Sequence, residues 1–161
     1  KAVRMIKATM SVLQNTGNFH LLLQTQQRLF DMCVSQESEN EIRGVSRDEI
    51  IFFLQETKQK GLALSAARAH LLLAHYDFRQ GTHSNALREV HTAINLFQKF
   101  ELHINELNAY NLLSQYAGLA ADDQTRVRSL LNHLEEFNQH ESIKASAHHY
   151  LAEITNNLFS K

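Results

Sequence analysis

The sequence contains no proline, only five glycines and a single cysteine in 161 residues. Proline lacks an amide hydrogen and clashes with the preceding helical turn, so its absence permits long helices. The single thiol, Cys33, excludes an internal disulfide framework and a cysteine-rich zinc site. Because Leu29, Phe30 and Met32 lie near it on an apolar helical face, Cys33 is expected to be a buried small hydrophobe. A lone thiol also fits a reducing compartment, and we expect a cytoplasmic protein.

An excess of positive charge and long apolar runs are both absent. Sixteen Lys and Arg stand against seventeen Asp and Glu, which gives a formal net charge of −1. Nucleic acids and anionic membranes attract concentrated positive charge, so neither is an expected partner. No apolar stretch approaches the roughly 18–20 residues of a membrane span. The start of the chain has neither an initiator methionine nor an apolar signal core, which predicts a piece of a longer protein.

Apolar residues recur every three or four positions along almost the whole chain, which predicts an all-α fold. Glycines and capping residues mark the helix ends. Ser46 and Glu49 form a predicted capping box, while Thr82 and Asp122 can cap two later helices. The predicted helices cover about residues 3–16, 18–35, 46–61, 62–80, 82–100, 102–120, 122–139 and 141–159, with a polar loop over about 36–44. The short turns between them require neighbouring helices to be antiparallel.

Three segments of the chain resemble one another. Residues 70–76 align with residues 110–116 at an offset of 40, and 148–154 follow the second copy at an offset of 38. Each copy places a leucine before a small residue, in the pairs Leu73-Ala74, Leu113-Ser114 and Leu151-Ala152. A small residue lets a neighbouring helix approach closely, so a regular spacing of such pairs predicts stacked helical hairpins. The residues expected in the core are Leu73, Ala74, Ala86, Ala93, Leu113 and Leu151.

This pattern resembles tetratricopeptide repeats. The matching residues are Leu73-Ala74, Gly81, Ala86-Leu87, Ala93-Ile94 and Leu96. The period of 38–40 residues is longer than the family's repeat of about 34, and the family's terminal proline is absent. Similar long repeats occur in bacterial regulators, including maltose-activator-type transcription factors and proteins with diguanylate cyclase output domains. The resemblance implies one domain over residues 1–161, built as a right-handed superhelix of about seven to eight helices.

The resemblance also implies that the first helix of each pair lines a concave groove. The family's groove positions correspond here to Arg68, Leu71, His75, Phe78, Arg79, Asn108, Asn111, Gln115, His149 and Glu153, with Ser146 and Asn156 beside the last two. Amide side chains can hold the backbone of an extended peptide, and arginines can bind a carboxylate through two hydrogen bonds. The alternative interpretation is an ordinary solvated helix face.

The sequence has none of the motifs expected of an enzyme or a metal site. Its ten histidines never occur four residues apart, so no helix presents two imidazoles one turn apart. A glycine-rich phosphate loop and a G-x-S-x-G elbow are also absent. We therefore expect no catalysis, no metal and no cofactor.

The predicted function is a non-catalytic scaffold that binds a protein or peptide and regulates an output domain elsewhere, for example a diguanylate cyclase. The alternative is a sensor that binds a small molecule or signalling peptide in the groove. An apolar last helix also predicts either a homodimer through that helix or a missing neighbouring segment. Its apolar residues are Ile143, Leu151, Ile154, Leu158 and Phe159.

Overall fold

The computed structural model describes residues 45–137 continuously, with side chains as far as residue 134, and also residues 8, 12, 15, 17, 21, 22, 24–26 and 28. Residues 45–137 form five α-helices and no strand, which confirms the all-α prediction for this part of the chain. The helices are α1 (Arg47–Gln59), α2 (Ala63–Arg79), α3 (His83–Lys99), α4 (His103–Tyr116) and α5 (Ala121–Phe137). Cys33, the predicted loop over residues 36–44 and the predicted helix over 141–159 lie outside the described residues.

The chain divides into two compact units, Lys1–Glu89 and Val90–Lys161, with the boundary inside α3. In the first unit, α1 packs against α2 around a core of aliphatic and aromatic side chains. This core contains Val45, Ile50, Phe53, Leu54, Ala66, Ala69, Leu72 and Leu73. The second unit contains the remainder of α3 with α4 and α5, and here α4 packs against α5.

Helix α1 begins at the predicted capping box. The backbone N–H of Glu49 donates to Oγ of Ser46 (3.2 Å), and the Ser46 N–H donates to Oε2 of Glu49 (2.7 Å). These bonds satisfy two amide donors that the first helical turn leaves without intrahelical partners. The capping box predicted from residues 46–49 is therefore confirmed.

The turns that follow α1, α2 and α3 share one hydrogen-bonding pattern. In the first turn, the Gly61 N–H donates to the Lys58 carbonyl (3.1 Å) and the Leu62 N–H donates to the Thr57 carbonyl (2.9 Å). The equivalent bonds of the other two turns run from Gly81 to Phe78, Thr82 to Asp77, Glu101 to Gln98 and Leu102 to Phe97. This pair of bonds is the Schellman motif, which closes a helix with one residue in the left-handed region.

Glycine occupies the left-handed position in two of the three turns. Gly61 and Gly81 have φ values of 67° and 75°, whereas Glu101 has a φ of 54° at the equivalent position. A residue with a Cβ atom is disfavoured there because the Cβ atom approaches the following carbonyl oxygen. The turn between α3 and α4 therefore contains a strained residue that the other two turns avoid.

Two predicted helix boundaries are wrong, and Thr82 makes a side-chain hydrogen bond that was not predicted. Helix α4 ends at Tyr116 instead of continuing to residue 120, and Gly118 adopts a φ of 78° shortly after it. Helix α5 begins at Ala121, so Asp122 lies in its first turn, where a negative charge favours the helix dipole. Thr82 precedes α3 as expected, but its hydroxyl donates to the Asp77 carbonyl (2.9 Å) of the preceding helix.

The pattern of burial in α2 recurs in α4. From residue 102 to residue 114, every position is buried, half-buried or exposed in the same way as the position 40 residues earlier, in 62–74. The predicted core positions Leu73, Ala74, Ala86, Ala93 and Leu113 are all at most 3% exposed, which confirms them. Leu151 lies outside the described residues.

Replacing Glu101 with glycine is expected to stabilise the protein by up to about 1 kcal/mol. The left-handed conformation costs a residue with a side chain about 1–2 kcal/mol, and the greater freedom of glycine in the unfolded chain offsets part of the gain. The matched variant Gly81→Ala should lower the free energy of unfolding by about 1 kcal/mol. A Cβ atom at this position has open space around it, so the loss comes from the left-handed backbone conformation and not from a steric clash. Urea unfolding measures both changes, and a Glu101→Gly protein less stable than the wild type would contradict the assigned strain.

Candidate functional site

Four of the predicted groove residues share one face of α2 in the first unit. Arg68, His75 and Arg79 follow one another at helical spacing, and Leu71 lies beside them. All four side chains are half-buried. The fifth predicted residue, Phe78, is 3% exposed and packs its ring against His83 at 5.9 Å between centroids, so we correct its assignment to the core.

The charge of this α2 face comes from its two arginines. Burial, together with the nearby positive charge of Arg79, lowers the pKa of His75 to about 4. The imidazole is therefore neutral at neutral pH, and a guanidinium group lies on either side of it along the helix. We call the row of Arg68, Leu71, His75 and Arg79 the α2 face.

The remaining described groove residues lie along α4 in the second unit. Asn108 and Asn111 are half-buried and Gln115 is exposed. The Oδ1 atom of Asn111 is buried and accepts no hydrogen bond from the described part of the chain. His149 and Glu153 lie outside the described residues, as do Ser146 and Asn156. The structure thus places predicted groove residues next to one another along each helix. That the residues of different helices form a single groove stays a prediction.

Buried ion pairs hold the helices of the first unit together. Arg47 on α1 donates through Nε and Nη2 to the two carboxylate oxygens of Asp77 on α2, at 2.7 and 3.0 Å. Asp77 is 1% exposed, so loss of Arg47 would leave a buried carboxylate without its partner. His70 on α2 lies 2.6 Å through Nδ1 from Oε2 of Glu89, which also accepts from the Arg88 side chain through its other oxygen.

Burial and hydrogen bonding act in opposite directions on the His70–Glu89 pair. Burial lowers the pKa of His70, although the bond to Glu89 acts against it. Burial alone would raise the pKa of Glu89, but hydrogen bonds from His70 and Arg88 bring it below its ordinary value. The Glu89 carboxylate consequently stays ionised at neutral pH.

A second buried carboxylate organises the second unit. Glu106 on α4 is fully buried and accepts from Nε and Nη2 of Arg126 on α5, at 2.8 and 3.0 Å. The Gln98 amide on α3 also donates to Glu106 (2.9 Å) and lies 3.3 Å from the Tyr110 hydroxyl. Burial and the charges of Asp123 and Glu106 raise the pKa of Tyr110 to about 12, so the phenol remains neutral.

A pocket of about 410 Å³ lies beside this network, between the start of α4 and the last turns of α5. Its lining residues are Glu101, Leu102, His103, Ile104, Asn105, His133 and Leu134. The rings of His103 and His133 meet edge to face with their centroids 5.1 Å apart. The buried Nδ1 atom of His103 faces Oε2 of Glu106 at 4.0 Å, which is too long for a hydrogen bond.

The sequence analysis missed both the buried carboxylates and the pocket. The sequence signal for a buried carboxylate was an acidic residue at a position where the other repeat has an apolar one. Glu106 is such a residue, because it aligns with the buried Ala66. That signal marks a buried acid but does not identify its partner. Among the described residues, no group of three or more histidine, cysteine or acidic side chains is placed to hold a metal ion.

No family model matches the chain, and searches of curated proteins and of solved structures give no significant match. In the part of the chain that the structure describes, no helix combines the length and the apolar character needed to cross a membrane.

Acid is expected to destabilise the fold through His75. The unfolded chain binds a proton at the ordinary histidine pKa of about 6.5, whereas the folded protein binds it only at about 4. Stability is therefore lost as the pH falls from about 6.5 to about 4 and levels off below that range. Between about pH 7 and pH 5, the free energy of unfolding should fall by about 1–2 kcal/mol less in His75→Gln than in the wild type. Urea unfolding at each pH measures this difference. The exposed His91→Gln serves as the control, and an unchanged pH dependence in His75→Gln would contradict the assignment.

Removing Arg126 is expected to leave a buried charge without its partner. Arg126→Met should cost about 3 kcal/mol, the low end for a broken buried pair, because the arginine side chain is 40% exposed. The double variant Glu106→Gln with Arg126→Met should recover much of this loss, since it contains no unpaired carboxylate. Thermal or urea unfolding tests both; a loss below about 1 kcal/mol in the single variant would show that Arg126 behaves as a surface residue.

Proposed function

We propose that this chain is a non-catalytic binding domain that holds a protein or peptide partner and regulates an output domain elsewhere in a longer protein. One observation carries the proposal. Equivalent positions on α2 and α4 are half-buried or exposed next to buried positions of the same helix, and they carry polar or charged side chains in five of six cases. They are Arg68, Leu71 and His75 on α2, with Asn108, Asn111 and Gln115 on α4.

The α2 face suggests the chemistry of the partner. Arg79 lies eleven positions after Arg68, which corresponds to about 16 Å along a helix. An extended peptide covers this distance in about five residues. A partner with two carboxylates at that separation could therefore bind both guanidinium groups, and Asn108 and Asn111 can hydrogen-bond a peptide backbone without selecting its sequence.

The proposed architecture is a right-handed superhelix of tetratricopeptide-like helix pairs. Three features support it, namely the shared Schellman turns, the recurrence of burial at an offset of 40 residues and the resemblance of residues 62–100 to the family pattern. In such a stack, equivalent first helices lie side by side and their polar faces form one continuous surface.

The proposed setting is a cytoplasmic regulator of the bacterial type in which such long repeats precede an output domain, for example a diguanylate cyclase. A homodimer through the C-terminal helix is part of the same proposal, because the predicted last helix carries more apolar residues than a polar capping helix of a solenoid. The sensor alternative differs in using the groove for a small ligand, and the occupant of the α2 face distinguishes the two.

Binding of the full chain to two matched sets of peptides tests the proposal. One set carries two glutamates about five residues apart in otherwise varied sequences, and the other carries glutamine at the same two positions. We expect the glutamate set to bind more tightly, and the difference to shrink as salt concentration rises. Arg79→Ala should weaken binding more than Asn111→Ala, because charge-assisted hydrogen bonds are about twice as strong as neutral ones.

The control for these variants is Lys99→Ala, which removes a cation at the end of α3. Binding that survives Arg68→Ala and Arg79→Ala but is lost in Lys99→Ala would reject the groove and indicate a different binding surface. Equal binding of the two peptide sets would reject the acidic partner.

A further inference from the structure

The pocket beside α4 has the dimensions and lining of a small-molecule site. Its volume of about 410 Å³ falls within the range of about 300–1,000 Å³ that is usual for such sites. Leu102, Ile104 and Leu134 provide apolar walls, and Asn105 with the two imidazoles of His103 and His133 provides polar groups. None of these residues belongs to the predicted peptide groove, so the pocket is a separate feature of the second unit.

Glu101 is the charged residue in the described lining of this pocket. It is the only Asp, Glu, Lys or Arg among the described lining residues, and its exposed carboxylate makes no hydrogen bond or ion pair within the described part of the chain. The nearby Glu106 is already bound to Arg126 and Gln98, so its charge is neutralised inside the protein. Among the described lining residues, the pocket therefore carries one negative charge, at Glu101.

The backbone at Glu101 indicates that this carboxylate has a specific role. The equivalent turn residues Gly61 and Gly81 adopt the left-handed conformation without strain, whereas Glu101 adopts it at a φ of 54°. Residues in sparsely populated backbone regions persist where the surrounding structure holds them, and they cluster at active sites and ligand-binding positions. Here the strained residue is also the charged one that lines the pocket.

We propose that this pocket binds a small monocationic amine with an apolar body, and that Glu101 is the residue that pairs with the ammonium group. The apolar body lies against Leu102, Ile104 and Leu134, and the ammonium group lies at the Glu101 rim. Charge complementarity thus selects amines over carboxylic acids of the same shape.

Calorimetric titration of the full chain with three probes of the same apolar body tests the proposal. The probes are 2-phenylethylamine, the neutral 2-phenylethanol and the anionic phenylacetate. We expect the amine to bind about fivefold more tightly than the alcohol, with phenylacetate weakest, because an exposed charge pair contributes up to that factor. The imidazole resonances of His103 and His133 should shift on addition of the amine, which locates the ligand. Tighter binding of phenylacetate, equal binding of amine and alcohol, or no binding of any probe would overturn the proposal.

Variants of Glu101 separate ligand binding from backbone strain. Glu101→Gln should reduce amine affinity to that of the alcohol, while Asp48→Asn, an exposed acid on α1, should leave it unchanged. Glu101→Gly should also lose the preference for the amine although it removes the strained side chain. A Glu101→Gly or Glu101→Gln protein that keeps the wild-type preference would show that the carboxylate has no part in binding.

Discussion

Burial of paired carboxylates is the constraint on which the helix arrangement depends. Asp77, Glu89 and Glu106 are all at most 8% exposed, and each has a basic or imidazole partner on a neighbouring helix. A buried pair adds little net stability, because desolvation offsets its attraction, but a buried carboxylate without its partner costs several kcal/mol. Any shift of one helix along another separates such a pair. We infer that these contacts fix the register of the helices more than they raise the stability of the fold.

Turn geometry provides the second constraint and acts together with the ion pairs. Each of the first three turns ends a helix with the same two backbone bonds. In the second turn, the two constraints meet at Asp77. Its carboxylate binds Arg47 of α1, while its backbone carbonyl accepts from both the N–H and the hydroxyl of Thr82. One residue thereby links three successive elements of the first unit.

Each proposed binding surface lies on a helix that a buried ion pair attaches to another helix of the same unit. The α2 face lies on a helix that Asp77 and His70 attach to its neighbours, so the spacing of its arginines is fixed before a partner arrives. The pocket lies next to Glu106, whose bonds to Gln98 and Arg126 connect α3, α4 and α5. Preorganised polar groups favour binding because less conformational freedom is lost when the ligand is bound. The two surfaces differ in charge, since arginines dominate one and a glutamate the other.

Local interactions explain what the sequence by itself determined. The absence of proline, the capping box of Ser46 and Glu49 and the turn glycine Gly81 act within a few residues, and apolar periodicity identified core positions such as Leu73 and Leu113. Tertiary structure alone decided the contacts between distant residues. Arg47 meets Asp77 thirty residues later, Phe78 points into the core although its neighbour Arg79 does not, and the pocket joins residues 101–105 to 133–134. These features depend on how helices rotate and pack against one another, and the periodicity of a single helix contains no information about its neighbour's position.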